Sequence, residues 1–105
     1  MSDDLVLCDV AEGVARVTMN RPAALNALSD AMLAGLMAVL DRLETDPGVK
    51  VIVLKGAGKA FCAGHDLREM QAGRASPDRG AAYFADLFSR CAALMQRLPR
   101  MPQPV

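Results

Sequence analysis

Most of the side chains that could do chemistry lie in one stretch, residues 50–70, KVIVLKGAGKAFCAGHDLREM: Lys55, Lys59, Cys62, His65, Asp66 and Glu69. Spacing rules out the commoner phosphate chemistries. A phosphate-binding loop ending at Gly58-Lys59 needs glycine where Val53 stands and Ser or Thr where Ala60 stands, and a dinucleotide fingerprint would put its third glycine at Phe61. Cys62 and His65 are three apart, a spacing that suits a metal. There is no second pair, however, and a closed zinc site takes four protein ligands, so no metal is expected. Inside the apolar Phe61-Cys62-Ala63 run, Cys62 reads as a small core residue rather than a nucleophile. For His65, the sole histidine, both an acid–base role and a merely space-filling ring are open. Asp66 and Glu69 have capping-box spacing, with Asp66 capping the first free amides and Glu69 reaching back to it. Lys55 and Lys59 flank the loop, where they can meet phosphates or simply be solvated.

The elements around this stretch must position it. Val51, Ile52, Val53 and Leu54 form an unbroken apolar run, which predicts a parallel strand covered on both faces rather than an edge strand. Gly56, Gly58 and Gly64 punctuate the loop that follows and leave backbone amides open to approach. A helix starting at Asp66 adds its own amide donors and partial positive charge beside His65, favourable to an anion or a developing oxyanion.

Upstream, residues 5–10 and 14–19 read as a hairpin through Ala11-Glu12-Gly13, with Ala15, Val17 and Met19 on a buried face and Arg16 and Thr18 on a wet one. Pro22 takes the chain out of the sheet. Ser29 should cap a helix of about four turns carrying Met32, Leu33, Leu36, Leu40 and Leu43 on one face, ended by Asp46-Pro47-Gly48. Strand, helix and the strand at 49–54 then make a crossover unit, expected to be right-handed. Downstream, residues 73–80, GRASPDRG, read as a mobile loop and a candidate lid. Tyr83, Phe84, Leu87, Phe88, Cys91, Leu94, Met95 and Leu98 mark an amphipathic packing helix that stops before Pro99.

Composition narrows the function classes. The 105 residues leave room for one domain, and 52% hydrophobic with 23% charged residues indicates a globular core. Twelve basic and twelve acidic side chains with no basic block argue against a nucleic-acid partner. Cys8, Cys62 and Cys91 are odd in number and fit no framework spacing, which points to reduced thiols and a cytoplasmic setting. No apolar run reaches the length of a membrane-spanning helix, and the acidic start does not read as a signal peptide, so no membrane association is expected.

Two stretches together resemble a known family. Phe61 to Met70, FCAGHDLREM, is similar to the first signature of the enoyl-CoA hydratase/isomerase (crotonase) superfamily, and Asn20 to Leu28, NRPAALNAL, is similar to a second motif at the family's spacing. The resemblance implies an α/β fold, the N-terminal portion of a crotonase-like ββα spiral, over residues 1–105. It implies that the main-chain N–H of His65 is one half of an oxyanion hole for a thioester. Ala23, Ala24 and Leu25 would make main-chain contacts to coenzyme A, which enters as part of an acyl-CoA substrate rather than as a covalently held cofactor. Ala63 and Leu67 would hold its adenine end, with Asp66 beside them. Many members carry a basic residue where this chain has Ala23, which removes one phosphate contact. The resemblance further implies hydration of a 2-enoyl-CoA as the default reaction and a homotrimer or hexamer. The second oxyanion amide and the water-activating glutamates would lie beyond residue 105. The chain alone is therefore expected not to turn over crotonyl-CoA. The alternatives are a noncatalytic acyl-CoA-binding or assembly fragment and a structural fragment that does not bind CoA.

Overall fold

The computed structural model describes residues 4–105. The chain opens with a hairpin, β1 (Val6–Ala11) and β2 (Val14–Met19), paired antiparallel from Val6 opposite Met19 to Ala11 opposite Val14. The connection is tighter than the sequence indicates: Glu12 and Gly13 alone form the turn, at φ 53° and 81°, the positive values a two-residue hairpin turn requires. In β2 the alternation is realised, with Ala15, Val17 and Met19 at 0%, 1% and 2% exposure.

After β2 the chain leaves the sheet through a 3-10 turn, Pro22–Ala24, and enters α1 (Asp30–Glu44). Ser29 is the N-cap, its Oγ accepting from the Met32 N–H at 3.1 Å. Such a cap contributes about 0.5–2 kcal/mol relative to alanine. The face carrying Met32, Leu33, Leu36, Val39, Leu40 and Leu43 is buried against the sheet and neighbouring helix. The chain then returns as β3 (Val51–Gly56), parallel to β2 with Val14 opposite Val51 and Met19 opposite Gly56. The predicted crossover unit is therefore present.

One expectation is corrected here. The sheet runs in the order β1, β2, β3, so β3 lies at its end, and Val51 and Val53 are 39% and 41% exposed. Ile52 is buried in the hydrophobic core while its neighbours Val51 and Val53 face outward, so only one face of β3 is covered among the described residues. Along the outer edge of β3, the Ile52 N–H donates to the Pro104 carbonyl at 2.8 Å, so the 101–105 segment begins to run beside it.

The loop after β3 leads into α2 (Leu67–Arg74) and then α3 (Ala81–Arg97), which runs on into a 3-10 turn at Leu98–Arg100. The loop expected over 73–80 is shorter, since Gly73 and Arg74 close α2, and the remaining connection, residues 75–80, is laced by hydrogen bonds. Ser76 Oγ donates to the Gly73 carbonyl, and Asp78 accepts from Ser76 Oγ and from the N–H groups of Gly80 and Ala82. Asp78 thus serves as the cap that Gly80, the residue at the helix start, cannot supply. These same bonds, from Ala82 first and then Ser76 and Gly80, hold the Asp78 carboxyl below the usual carboxylate range. In α3 the packing stripe is narrower than its apolar residues indicate. Leu87 and Leu94 are buried, whereas Phe88 and Met95 are about half exposed. Ion pairs tie α3 to α1: Arg90 with Asp30 at 2.7 Å, and Arg97 with Asp41 at 2.6 Å and Glu44 at 3.2 Å.

Candidate functional site

The two motif-bearing loops, 20–28 and 56–66, are stitched together. The Ala63 N–H donates to the Leu25 carbonyl at 3.0 Å, and Leu28 bridges to His65 as in a parallel sheet. In that bridge the Leu28 N–H donates to the Gly64 carbonyl at 2.7 Å and the Leu28 carbonyl accepts from the Asp66 N–H at 3.3 Å. Both bonds go to the neighbours of His65, so the N–H of His65 itself is turned away from Leu28. It donates to no group among the described residues. Gly64, at φ 103°, supplies the backbone reversal just before it, a conformation that a side chain would strain.

A cleft of about 470 Å³ opens between the loops, lined by Arg21, Ala23, Ala24, Ala27, Ala63, His65, Asp66, Leu67 and Arg68. Six of the seven residues that the family resemblance singles out are therefore brought together. Leu25 is the exception. It sits in the left-handed region at φ 53°, its N–H bonded to the Pro22 carbonyl and its own carbonyl taken by Ala63, with the side chain 39% exposed. Lys55 and Lys59 do not line the cleft either; its cations are Arg21 and Arg68. Cys62 and Phe61 face elsewhere, into a separate apolar cavity of about 100 Å³ shared with Leu54, Met95 and Leu98. That placement agrees with a packing role for Cys62.

Asp66 does cap α2, its Oδ1 accepting from the N–H groups of Arg68 at 3.0 Å and Glu69 at 3.3 Å. The reciprocal half of the capping box is absent. Glu69 does not return to Asp66; its Oε1 accepts instead from the Asp30 N–H at 2.8 Å, pinning α2 to the first turn of α1. The other Asp66 oxygen, Oδ2, accepts from Arg21 Nη1 at 3.1 Å, so this carboxylate clamps the two loops as well as the helix end.

Burial is the largest single influence on the Asp66 carboxyl and works against its charge. It is outweighed by the combined hydrogen bonds from the Glu69 N–H, the Arg21 guanidinium and the Arg68 N–H, which hold the carboxyl below its ordinary range. The sign of the consequence follows. The unfolded chain, with an aspartate pKa of about 3.9, takes up the proton first as pH falls. The stabilisation from Asp66 is therefore complete well above that value and is lost as pH drops through the lower folded-state pKa. Acid unfolding monitored by circular dichroism should show Asp66→Asn with a shallower loss of stability between about pH 5 and 2 than the parent chain. Identical slopes would mean that the clamp does not exist in solution.

On the far side of His65 stands an aromatic row from α3. The His65 ring meets Phe88 edge-on at 5.6 Å, Phe88 stacks on Phe84 at 5.9 Å, and Phe84 meets Tyr83 edge-on at 5.4 Å. Both His65 Nδ1 and the Tyr83 hydroxyl are buried without a hydrogen-bond partner among the described residues. Burial, and then the nearby Asp30 and Glu69 charges, push the Tyr83 phenol above its ordinary pKa.

Sequence reasoning missed one residue that the geometry makes central. Asn26 is fully buried at φ 55°, and its amide reaches both loops. Its tolerance of the left-handed region was the only local signal. Among the described residues no group of three or more His, Cys, Asp or Glu side chains could hold a metal, and no helix is long and apolar enough to cross a membrane.

The hairpin, crossover helix and looped site define an α/β architecture shared with crotonase-fold enzymes. An enoyl-CoA hydratase of Mycobacterium smegmatis superposes with a TM-score of 0.86 at 49% identity, covering 96% of this chain and 38% of that one. A family model described as enoyl-CoA hydratase/isomerase matches residues 9–105, so the chain belongs to that family. Among curated relatives, the 1,2-epoxyphenylacetyl-CoA isomerase of Escherichia coli is 34% identical over 102 residues, 97% of this chain and 38% of the relative. A probable enoyl-CoA hydratase of Mycobacterium tuberculosis is 49% identical over 74 residues, 70% of this chain and 29% of the relative. The chain thus spans well under half the length of the relatives it matches.

Proposed function

We propose that the cleft binds an acyl-CoA thioester and that the His65 N–H donates to the thioester carbonyl oxygen, stabilising the enolate-like charge that develops there. The observation that carries this reading is the bridge at Leu28, which uses the main chain on either side of His65 and leaves the His65 N–H unengaged at the wall of the cleft. A donor fixed before the substrate arrives costs no reorganisation when charge develops. The coenzyme A part lies along Ala23 and Ala24, with Ala63, Asp66 and Leu67 at its adenine end. Leu25, whose main-chain groups are already bonded, holds the turn behind it. Asp66 acts there as a clamp and cap, since its oxygens are already occupied. Arg21 and Arg68 give the cleft positive charge for the phosphates.

Hydration of a 2-enoyl-CoA is the default reaction of this reading, and the relatives' names show why the finer assignment is separate: a hydratase and an isomerase are both similar to this chain. A second reading is that these 105 residues bind acyl-CoA without turning it over. Calorimetric titration of the chain with crotonyl-CoA and with CoA, alongside an assay for hydration, tests both. Binding with turnover supports the enzyme. Binding alone supports the second reading, and no heat with either ligand at millimolar concentration contradicts both.

A further inference from the structure

We infer that Asn26 is the positioning residue of the site, the group that fixes the His65 N–H relative to the 20–28 loop. The inference rests on the reading of that N–H as the thioester donor, and it concerns a residue that touches no substrate. Asn26 is 0% exposed, and its amide is used in both senses. Its Oδ1 accepts from the Arg21 N–H at 2.8 Å, while its Nδ2 donates to the carbonyls of Ala57 and Ala60, each at 2.9 Å. One side chain therefore holds the start of the first loop and two points of the second, more than thirty residues away in sequence. Both Nδ2 hydrogens are spent, and among the described residues no other side chain hydrogen-bonds between these two loops except the Arg21–Asp66 pair.

The fit is close from the second loop as well. A Cβ at Gly56 would stand 2.8 Å from Asn26 Nδ2 and would also strike the main chain of residues 60 and 61. The loop can wrap the amide only because Gly56 carries no side chain. Five residues on from Ala60, the chain reaches His65 with its Leu28 bridge, and Leu28 is only two residues from Asn26. The His65 N–H is thus set by a short closed ring of backbone whose fixed point is the Asn26 amide. A displacement of about 1 Å at a reacting centre can cost 100-fold in rate, so a residue of this kind acts on chemistry without reaching it.

Asn26→Asp preserves the shape, the acceptor for Arg21 and tolerance of the positive φ, but sets carboxylate oxygens against the Ala57 and Ala60 carbonyls. Asn26→Gly preserves the backbone conformation and deletes all three bonds. Gln103→Ala is the control for simple destabilisation, because it removes a buried 2.6 Å bond to the Leu43 carbonyl away from the cleft. The probe is crotonyl-CoA carrying ¹³C at the thioester carbonyl, bound at saturation and read by isotope-edited infrared spectroscopy. In the parent chain the carbonyl stretch should fall on binding, the signature of a donated hydrogen bond. In Asn26→Asp, Asn26→Gly, or whichever of them folds, that fall should be lost, while Gln103→Ala lowers the melting temperature and keeps it. Retention of the full shift in either Asn26 variant overturns the positioning role. The absence of a shift in the parent chain would instead reject the oxyanion reading of His65. Should neither Asn26 variant fold, the same spectrum taken on Asn26→Ser, whose shorter side chain cannot span to the Ala57 and Ala60 carbonyls, decides in the same sense.

Discussion

On the proposed oxyanion reading, His65→Pro is expected to slow acyl-CoA turnover about 10²–10³-fold, the loss that follows removal of one oxyanion donor, equivalent to about 2.7–4 kcal/mol of barrier. The His65 N–H makes no bond among the described residues, so proline deletes the donor without orphaning an acceptor there. The residue before it is Gly64, which already has a backbone conformation outside the ordinary range and has no Cβ to collide with the proline ring. His65→Ala is the necessary partner. It keeps the N–H and removes only the ring that meets Phe88, so it should retain most of the rate. A steady-state comparison of kcat for the two variants separates main-chain from side-chain chemistry. If His65→Ala were the slow one, the imidazole would be the functional group and the acid–base role left open by the sequence would return.

The second large effect concerns stability. Leu87→Ala should cost about 2–5 kcal/mol, the range for truncating a buried leucine, and should do so by loosening α3 from the core. Leu87 is 1% exposed and, with Leu94, is one of the two buried residues of a 17-residue helix. The ion pairs that also tie α3 to α1 do not compete with it. Arg97 bridges Asp41 and Glu44, but both carboxylates are largely exposed, and such pairs contribute about 0–1 kcal/mol. Urea denaturation of Leu87→Ala and Arg97→Ala should therefore rank the leucine change well above the arginine change. The opposite ranking would mean that α3 is held by charge. Because Phe88 sits next to Leu87 and touches His65, loss of the α3 anchor should also weaken whatever the site binds.

How far the sequence reveals this arrangement depends on the range of the interaction. Local signals translate directly. Ser29 caps α1, Met19 closes a buried alternation and Asp66 starts α2, each because the deciding contact lies within a few residues. Glu69 shows the limit of that logic. The capping-box spacing is real, yet its carboxylate has a better partner in the Asp30 N–H, a free donor at the first turn of α1 that only the folded chain brings near. Asn26 lies largely beyond a local reading, since two of its three partners are separated from it by 31 and 34 residues. Val51 and Val53 expose another limit. An unbroken β-branched run reports that a strand is suited to cover on both faces, while the cover itself depends on what lies against it, and here that face is open. The gathering of Ala23, Ala24, Ala63, His65, Asp66 and Leu67 around one cleft was accessible only through the family resemblance, because alanine and leucine carry no chemical signal of their own.

The most direct test of the central claim follows the His65 amide itself. In a ¹⁵N-labelled sample titrated with crotonyl-CoA, the account predicts that the His65 N–H resonance moves downfield and saturates with the ligand, as a donor to a carbonyl oxygen should, while the Leu28 and Asp66 amides, already bonded, move little. Saturable binding of crotonyl-CoA that leaves the His65 amide unmoved would contradict it.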